Sequence, residues 1–129
     1  MEESENLYML FSAYDISFLI PLFCVKSVVD GMEDMGDLPV LDFAVLAGGI
    51  AADMRKYQLV VQNGEDILIL KVDDIVGIVE VLEKQIIEFP VELANDNNRY
   101  LRAIARMWSD KGGEYPAYII EPCVLYEME

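Results

Sequence analysis

Residues 59–72 decide the fold class, because they contain the clearest β-hairpin signal in the chain, LVVQNGEDILILKV. Two apolar runs, residues 59–62 and 66–72, flank the pair Asn63-Gly64. This pair is favoured where a tight turn needs positive φ at both central residues. We therefore predict an antiparallel hairpin that turns at Asn63 and Gly64.

Short strand-like runs separated by turns continue on both sides of this hairpin. Residues 7–13 and 16–20 predict an N-terminal hairpin, and residues 38–43, 75–82 and 85–89 predict further strands, with a bulge at Gly77. Helical spacing of apolar residues predicts a short helix over residues 22–29, and residues 122–127 predict a closing helix. Many short strands with little helix predict an all-β barrel or sandwich.

The segment 99–120 supports two interpretations. Leu101, Ile104 and Trp108 are spaced for a helix. The pair Gly112-Gly113 and the apolar run 115–120 instead indicate a hairpin, which is the interpretation we favour.

Length and charge narrow the classes of function. The 129 residues predict one domain, residues 1–129, and the 54% hydrophobic content allows a real core. A net charge of −15 disfavours nucleic acid and anionic lipid as partners. The N-terminus is acidic, unlike a signal peptide, and the longest apolar run, residues 16–25, contains Pro21 and is half the roughly 20 residues needed to span a bilayer. We expect a cytoplasmic protein without membrane insertion.

The residues available for catalysis are few, because the chain has no histidine. Cys24 and Cys123 therefore lack the commonest activating base, and we predict two reduced core thiols. Asp42, Asp73 and Asp74 are the carboxylates embedded in apolar runs, which makes a small metal-dependent enzyme the rival hypothesis. Adjacent aspartates on a strand point to opposite faces, so turn or strand-edge roles are favoured. We expect no enzyme activity, no metal and no cofactor.

Three arginines, Arg99, Arg102 and Arg106, hold a third of the positive charge. They are either a solvated face that balances an acidic surface or a patch that docks an acidic partner segment. The neighbouring Tyr100 and Trp108 are of types common at interfaces. Both interpretations stay open.

The order of these runs resembles CheW-like domains, the coupling proteins of chemotaxis. The similarity covers nearly the whole chain and rests on order and spacing rather than on one specific motif. The matching stretches are Tyr8-Met-Leu-Phe11, Val25-Lys-Ser-Val-Val29, Pro39-Val-Leu-Asp42-Phe43, the hairpin at residues 59–65 with its continuation through residues 67–81, Tyr100-Leu-Arg-Ala-Ile104 and Tyr118-Ile-Ile-Glu121.

The resemblance implies a fold of two small five-stranded, SH3-like β-barrels packed together. It also implies an adaptor that couples the cytoplasmic tip of a chemoreceptor (a methyl-accepting chemotaxis protein) to the regulatory domain of the histidine kinase CheA. The receptor helix would lie in an apolar groove at Val25, Tyr57 and Ile78, where tyrosine replaces the usual aliphatic residue.

The chain departs from the family between Val29 and Leu38. The family has a longer connection there, with a strand that reaches an Asn-Leu-Arg-Gly turn before Pro-x-x-Asp, and this chain lacks it. We therefore expect the first barrel to be incomplete. A degenerate family member that binds another protein is the alternative function.

Overall fold

The computed structural model describes residues 6–49, 55–96 and 98–127. The described residues form ten strands, two short α-helices and three single-turn 3-10 helices at Leu22–Cys24, Glu83–Gln85 and Val91–Leu93. The strands are β1 (Leu7–Ala13), β2 (Ile16–Pro21), β3 (Val25–Asp30), β4 (Val40–Asp42), β5 (Tyr57–Asn63), β6 (Asp66–Val72), β7 (Asp74–Glu80), β8 (Ile86–Glu88), β9 (Leu101–Trp108) and β10 (Glu114–Ile120). The helices are α1 (Phe43–Leu46) and α2 (Pro122–Leu125).

The strands form two sheets. One has six strands in the order β7-β1-β2-β10-β9-β8, and the other has four in the order β3-β5-β6-β4. Neighbouring strands are antiparallel except for the parallel pairs β2–β10 and β4–β6. The predicted all-β class is confirmed, as is the hairpin interpretation of residues 99–120 and the closing helix, which is shorter than expected.

The ten strands are divided six and four between the two hydrogen-bonded sheets. The four-stranded sheet includes β3 and β4, which the shortened connection joins.

Two tight turns set the hairpin registers. Tyr14 and Asp15 connect β1 to β2 with φ of 55° and 62°, and they are the non-glycine residues with positive φ in the described chain. In the central hairpin Asn63 pairs with Asp66, so the turn residues are Gly64 and Glu65 rather than Asn63 and Gly64. Gly64 takes the positive φ, 65°, that this turn requires.

The helix predicted over residues 22–29 is wrong. A single 3-10 turn ends at Cys24, and β3 follows as an edge strand paired with β5. The β-branched residues Val25, Val28 and Val29 favour an extended backbone, and β5 supplies hydrogen-bonding partners that a local pattern does not reveal. The strand predicted over residues 38–43 is shorter, since α1 begins at Phe43.

Strand β1 lies between two apolar clusters. Met9 and Phe11 belong to a larger cluster that takes residues from both sheets, whereas Tyr8 and Leu10 belong to a smaller cluster within the six-stranded sheet. Alternation along one strand therefore supplies both cores. Phe11, Phe18 and Phe43 meet in the larger cluster with ring centroids 4.7–5.7 Å apart.

No helix in the described ranges is long and apolar enough to cross a membrane.

Candidate functional site

The three residues predicted to form the groove lie on two sheets. Val25 begins β3 and Tyr57 begins β5, and both are half-buried against the larger core cluster. They lie toward opposite ends of the β3–β5 ladder, because Val25 pairs with Val61 and Tyr57 with Asp30. Ile78 lies on β7, at the edge of the six-stranded sheet.

The start of β7 lies beside Tyr57. Tyr57 pairs with Val72, the last residue of β6, and the chain then passes through Asp73 into β7. Lys56 Nζ lies 4.0 Å from Asp74 Oδ1 and 5.5 Å from the centroid of the Tyr57 ring. The crossing between the sheets therefore brings the β7 edge close to Tyr57.

A bulge determines the direction of Ile78. Phe11 pairs with Ile75 but Leu10 pairs with Gly77, so Val76 is the extra residue. The predicted bulge at Gly77 is confirmed, and its φ of 144° is one that glycine tolerates. Because of this shift Ile78 pairs with Met9 and shares its face, which is the face toward the larger cluster.

Ile78 is not a core residue, since 59% of it is exposed, and its neighbour Val76 is 65% exposed. In the described part of the chain β7 pairs with β1 alone, which leaves its outer edge open. Exposed β-branched side chains on an open sheet edge are a typical surface for a binding partner.

The aspartates of the metal hypothesis are held by an arginine. Arg55 Nε lies 3.0 Å from Asp42 Oδ1, and its Nη1 lies 3.3 Å from Asp73 Oδ1. The other oxygen of Asp73 accepts the Tyr14 backbone N–H at 2.8 Å. Hydrogen bonding to Asp42, above all, raises the pKa of Arg55. A guanidinium between the two carboxylates takes the place that a metal ion would need.

Asp74 does not join this pair. Its Oδ1 accepts the backbone N–H of Ile75 at 3.0 Å and faces Lys56. Across the described ranges, no group of three or more potential metal ligands converges. Sequence reasoning missed Arg55, whose signal was a base two residues before β5.

The three arginines have different surroundings. Arg99 pairs with Glu127 at 2.9 Å, and Arg106 pairs with both oxygens of Glu114 at 2.9 and 3.2 Å. The pair with Arg106 lowers the pKa of Glu114 through its hydrogen bonds. Arg102 instead lies 3.4 Å from the Tyr8 hydroxyl, and none of the carboxylates in the described ranges pairs with it.

The two cysteines also differ, which corrects the prediction of two core thiols. Cys24 is buried, and burial raises the pKa of its thiol to about 11. Cys123 is exposed, and its Sγ accepts a hydrogen bond from Asn63 Nδ2 at 3.1 Å. Both thiols are free.

Comparison with known proteins finds a solved structure of similar fold. The crystal structure of scaffolding protein TtCheW from Thermoanaerobacter tengcongensis superposes with a TM-score of 0.66, covering 91% of this chain and 84% of that chain at 18% sequence identity. The fold is CheW-like. This fold consists of two SH3-like β units, as the sequence predicted. No family model matches the sequence, and no curated protein does.

Proposed function

We propose that this chain is a non-catalytic chemosensory adaptor that resembles CheW and couples chemoreceptors to the histidine kinase CheA. The observation that carries the proposal is the CheW-like fold over 91% of the chain. The order of sequence runs that resembles CheW-like domains supports it independently. In this role the protein works in the cytoplasm, as a bridge between other proteins.

The receptor-binding surface is proposed to be the groove of Val25, Tyr57 and Ile78. In this proposal a partner meets the exposed Ile78 and Val76 on the open β7 edge, and Val25 and Tyr57 add half-buried apolar side chains. A receptor helix satisfies its own backbone hydrogen bonds, so it needs only apolar side chains that enter the groove. A few central residues should then dominate the affinity.

Arg102 is the arginine we propose for contact with an acidic partner segment. Arg99 and Arg106 already have carboxylate partners, so their charge is largely balanced. Arg102 can form a new ion pair without breaking one. Of the three arginines in the predicted docking patch, we therefore expect Arg102 to make the principal contact with the partner.

The test uses two isoleucines with similar exposure on opposite edges of the six-stranded sheet. Ile78 on β7 is 59% exposed and Ile87 on β8 is 50% exposed. A carboxylate buried unpaired against a partner helix costs several kcal/mol. Ile78→Asp should therefore abolish binding to a peptide of a receptor's cytoplasmic tip, measured by calorimetry, while Ile87→Asp binds normally.

Thermal unfolding of the same samples is the control for folding. Because Ile78 is exposed, both variants should retain the melting transition of the parent protein. Receptor-tip binding that survives in folded Ile78→Asp would refute the groove. The absence of binding to both receptor tip and kinase in the parent protein would refute the adaptor function.

A further inference from the structure

The turn of the central hairpin carries a reactive pair of residues that the proposed adaptor function does not use. Asn63 is followed directly by Gly64, whereas the other asparagines of the chain precede leucine, aspartate, asparagine or arginine. The side-chain amide carbon of an asparagine can be attacked by the backbone nitrogen of the next residue, and a side chain on that residue hinders the approach. Glycine has no Cβ, so this step is least hindered at Asn63.

The structure leaves the backbone nitrogen of Gly64 accessible. Because Asn63 pairs with Asp66, Gly64 lies in the turn, outside the ladder of hydrogen bonds. Its N–H donates to none of the described residues, and a side chain placed there would meet no atom of a non-adjacent residue within 4 Å. Gly64 is also exposed. Water and the side-chain carbon of Asn63 can therefore both reach this nitrogen.

The side chain of Asn63 is held by the closing helix α2. Its Nδ2 donates to Cys123 Sγ at 3.1 Å, across 60 residues of sequence. A second contact joins the end of α2 to the same hairpin, because the Tyr126 hydroxyl donates to the Asp66 carbonyl at 3.2 Å. The amide of Asn63 must rotate for its carbon to face the Gly64 nitrogen, and the hydrogen bond to Cys123 restrains that rotation.

We propose that Asn63 is a site of spontaneous deamidation and that its hydrogen bond to Cys123 slows the reaction. Hydroxide removes the proton of the Gly64 nitrogen, which then attacks Cγ of Asn63. The new N–C bond closes a succinimide ring, and the amide nitrogen leaves as ammonia after taking a proton from water, which restores the hydroxide. Water then adds to one of the two ring carbonyls and opens the ring, which leaves aspartate or isoaspartate at position 63.

The product places a negative charge where the hairpin tolerates it poorly. Asp66 lies directly across the ladder from Asn63, and like charges opposite each other destabilise a sheet. The amide that donates to Cys123 is also lost, so the hairpin keeps one contact fewer with α2. Deamidation should therefore loosen α2 from the hairpin and lower the melting temperature.

The test is peptide mapping by mass spectrometry during incubation at mildly alkaline pH under reducing conditions. Trypsin cleaves after Lys56 and Lys71, and Asn63 is the only asparagine between them, so the other asparagines serve as internal references in separate peptides. Three proteins are compared: the parent, Cys123→Ala, which removes the acceptor, and Cys123→Ser, which keeps one. Cys123 is exposed, so both variants should fold, and thermal melting checks this. Parallel samples are incubated in urea.

We expect Asn63 to react before any other asparagine and to yield both aspartate and isoaspartate. Cys123→Ala should react about two- to fivefold faster than the parent, the effect of losing one weak hydrogen bond. Cys123→Ser should stay closer to the parent, and urea should remove the differences among the three proteins. Purified deamidated protein should melt below the unmodified protein.

Three results would overturn parts of the proposal. An Asn63 that stays intact while other asparagines react, or a product of aspartate without isoaspartate, would rule out the succinimide site. Equal rates in the parent and Cys123→Ala, or equally fast alanine and serine variants, would show that the hydrogen bond to Cys123 is not the restraint. Equal melting of deamidated and unmodified protein would show that the reaction leaves the contact with α2 undisturbed.

Discussion

Arg55 donates hydrogen bonds to two aspartates: its Nε lies 3.0 and 3.2 Å from the two carboxylate oxygens of Asp42, and its Nη1 lies 3.3 Å from Asp73 Oδ1. Asp42 ends β4, and Asp73 marks the point where the chain leaves the four-stranded sheet. One guanidinium therefore joins an edge strand to the crossing between the sheets. Its side chain is 15% exposed and that of Asp42 is 18% exposed, so the pair is shielded from water.

Arg55→Leu should destabilise the protein by about 1–3 kcal/mol, because it leaves the shielded Asp42 carboxylate without the guanidinium that donates to both of its oxygens. Arg106→Leu is the matched control, since its pair with Glu114 is solvent-exposed and should contribute little. Urea unfolding of both variants measures the difference. Equal stabilities would mean that the Arg55 pair has no structural role.

Gln58 holds the short connection that follows β3. Its buried side chain donates to the carbonyls of Asp30 and Glu33, both at 2.9 Å. Gln58→Leu should therefore cost about 1–3 kcal/mol in unfolding free energy, since two carbonyls lose a donor. Gln62→Leu on the same strand removes an exposed hydrogen bond to Gly64 and should change stability far less. If denaturant titrations showed that Gln62→Leu destabilises the protein more than Gln58→Leu does, this role would be contradicted.

Gly77 sets the bulge that turns Ile78 toward the larger cluster. A side chain there meets no atom within 4 Å, so the only penalty for Gly77→Ala is its φ of 144°. We expect a loss of about 1–2 kcal/mol and weaker receptor-peptide binding, because the bulge shifts to relieve strain. Gly113→Ala, where the added carbon meets Ser109 Oγ at an ordinary 3.8 Å, should change neither property. Unchanged receptor-peptide binding by Gly77→Ala would show that the bulge does not affect binding at the groove.

Alkaline pH should destabilise the fold through Cys24. Its pKa is about 11 when folded against 9.0 for an ordinary thiol. The unfolded chain therefore loses the proton first, so stability falls as pH rises above about 9 and levels off near 11. Each pKa unit by which the folded and unfolded states differ corresponds to about 1.4 kcal/mol of unfolding free energy.

The comparison uses Cys24→Ala and Cys123→Ala under reducing conditions. Between about pH 8 and pH 11, Cys24→Ala should show a smaller decrease in unfolding free energy than the parent protein. Cys123→Ala should keep most of the decrease, because burial is the main cause of the raised pKa of Cys24 and Cys123 is a smaller one. Tyr100 contributes equally to both variants, because burial alone raises its pKa to about 12, whereas the pKa of Tyr126 is raised mainly by burial and to a smaller extent by Cys24 and by Cys123. Identical profiles of unfolding free energy against pH in the two variants would show that Cys24 does not cause the loss of stability at alkaline pH.

The sequence alone determined what depends on neighbouring residues. Turn pairs such as Tyr14-Asp15 fixed the hairpins, and the Gly112-Gly113 turn decided between helix and hairpin for residues 99–120. Short apolar runs predicted the strands on either side of these turns. The absence of histidine and the strongly acidic composition likewise restricted the chemistry that is open to the chain.

The tertiary structure decided what depends on residues far apart in the chain. Residues 25–30 became a strand because β5 lies beside them, although their apolar spacing also fits a helix. Arg55 reaches Asp42 and Asp73 across 13 and 18 residues, and Cys123 is exposed despite its apolar neighbours. Exposure of Ile78 depends on which strand occupies the sheet edge. Long-range strand pairing and burial determine each of these features, and neither can be predicted from the pattern of neighbouring residues.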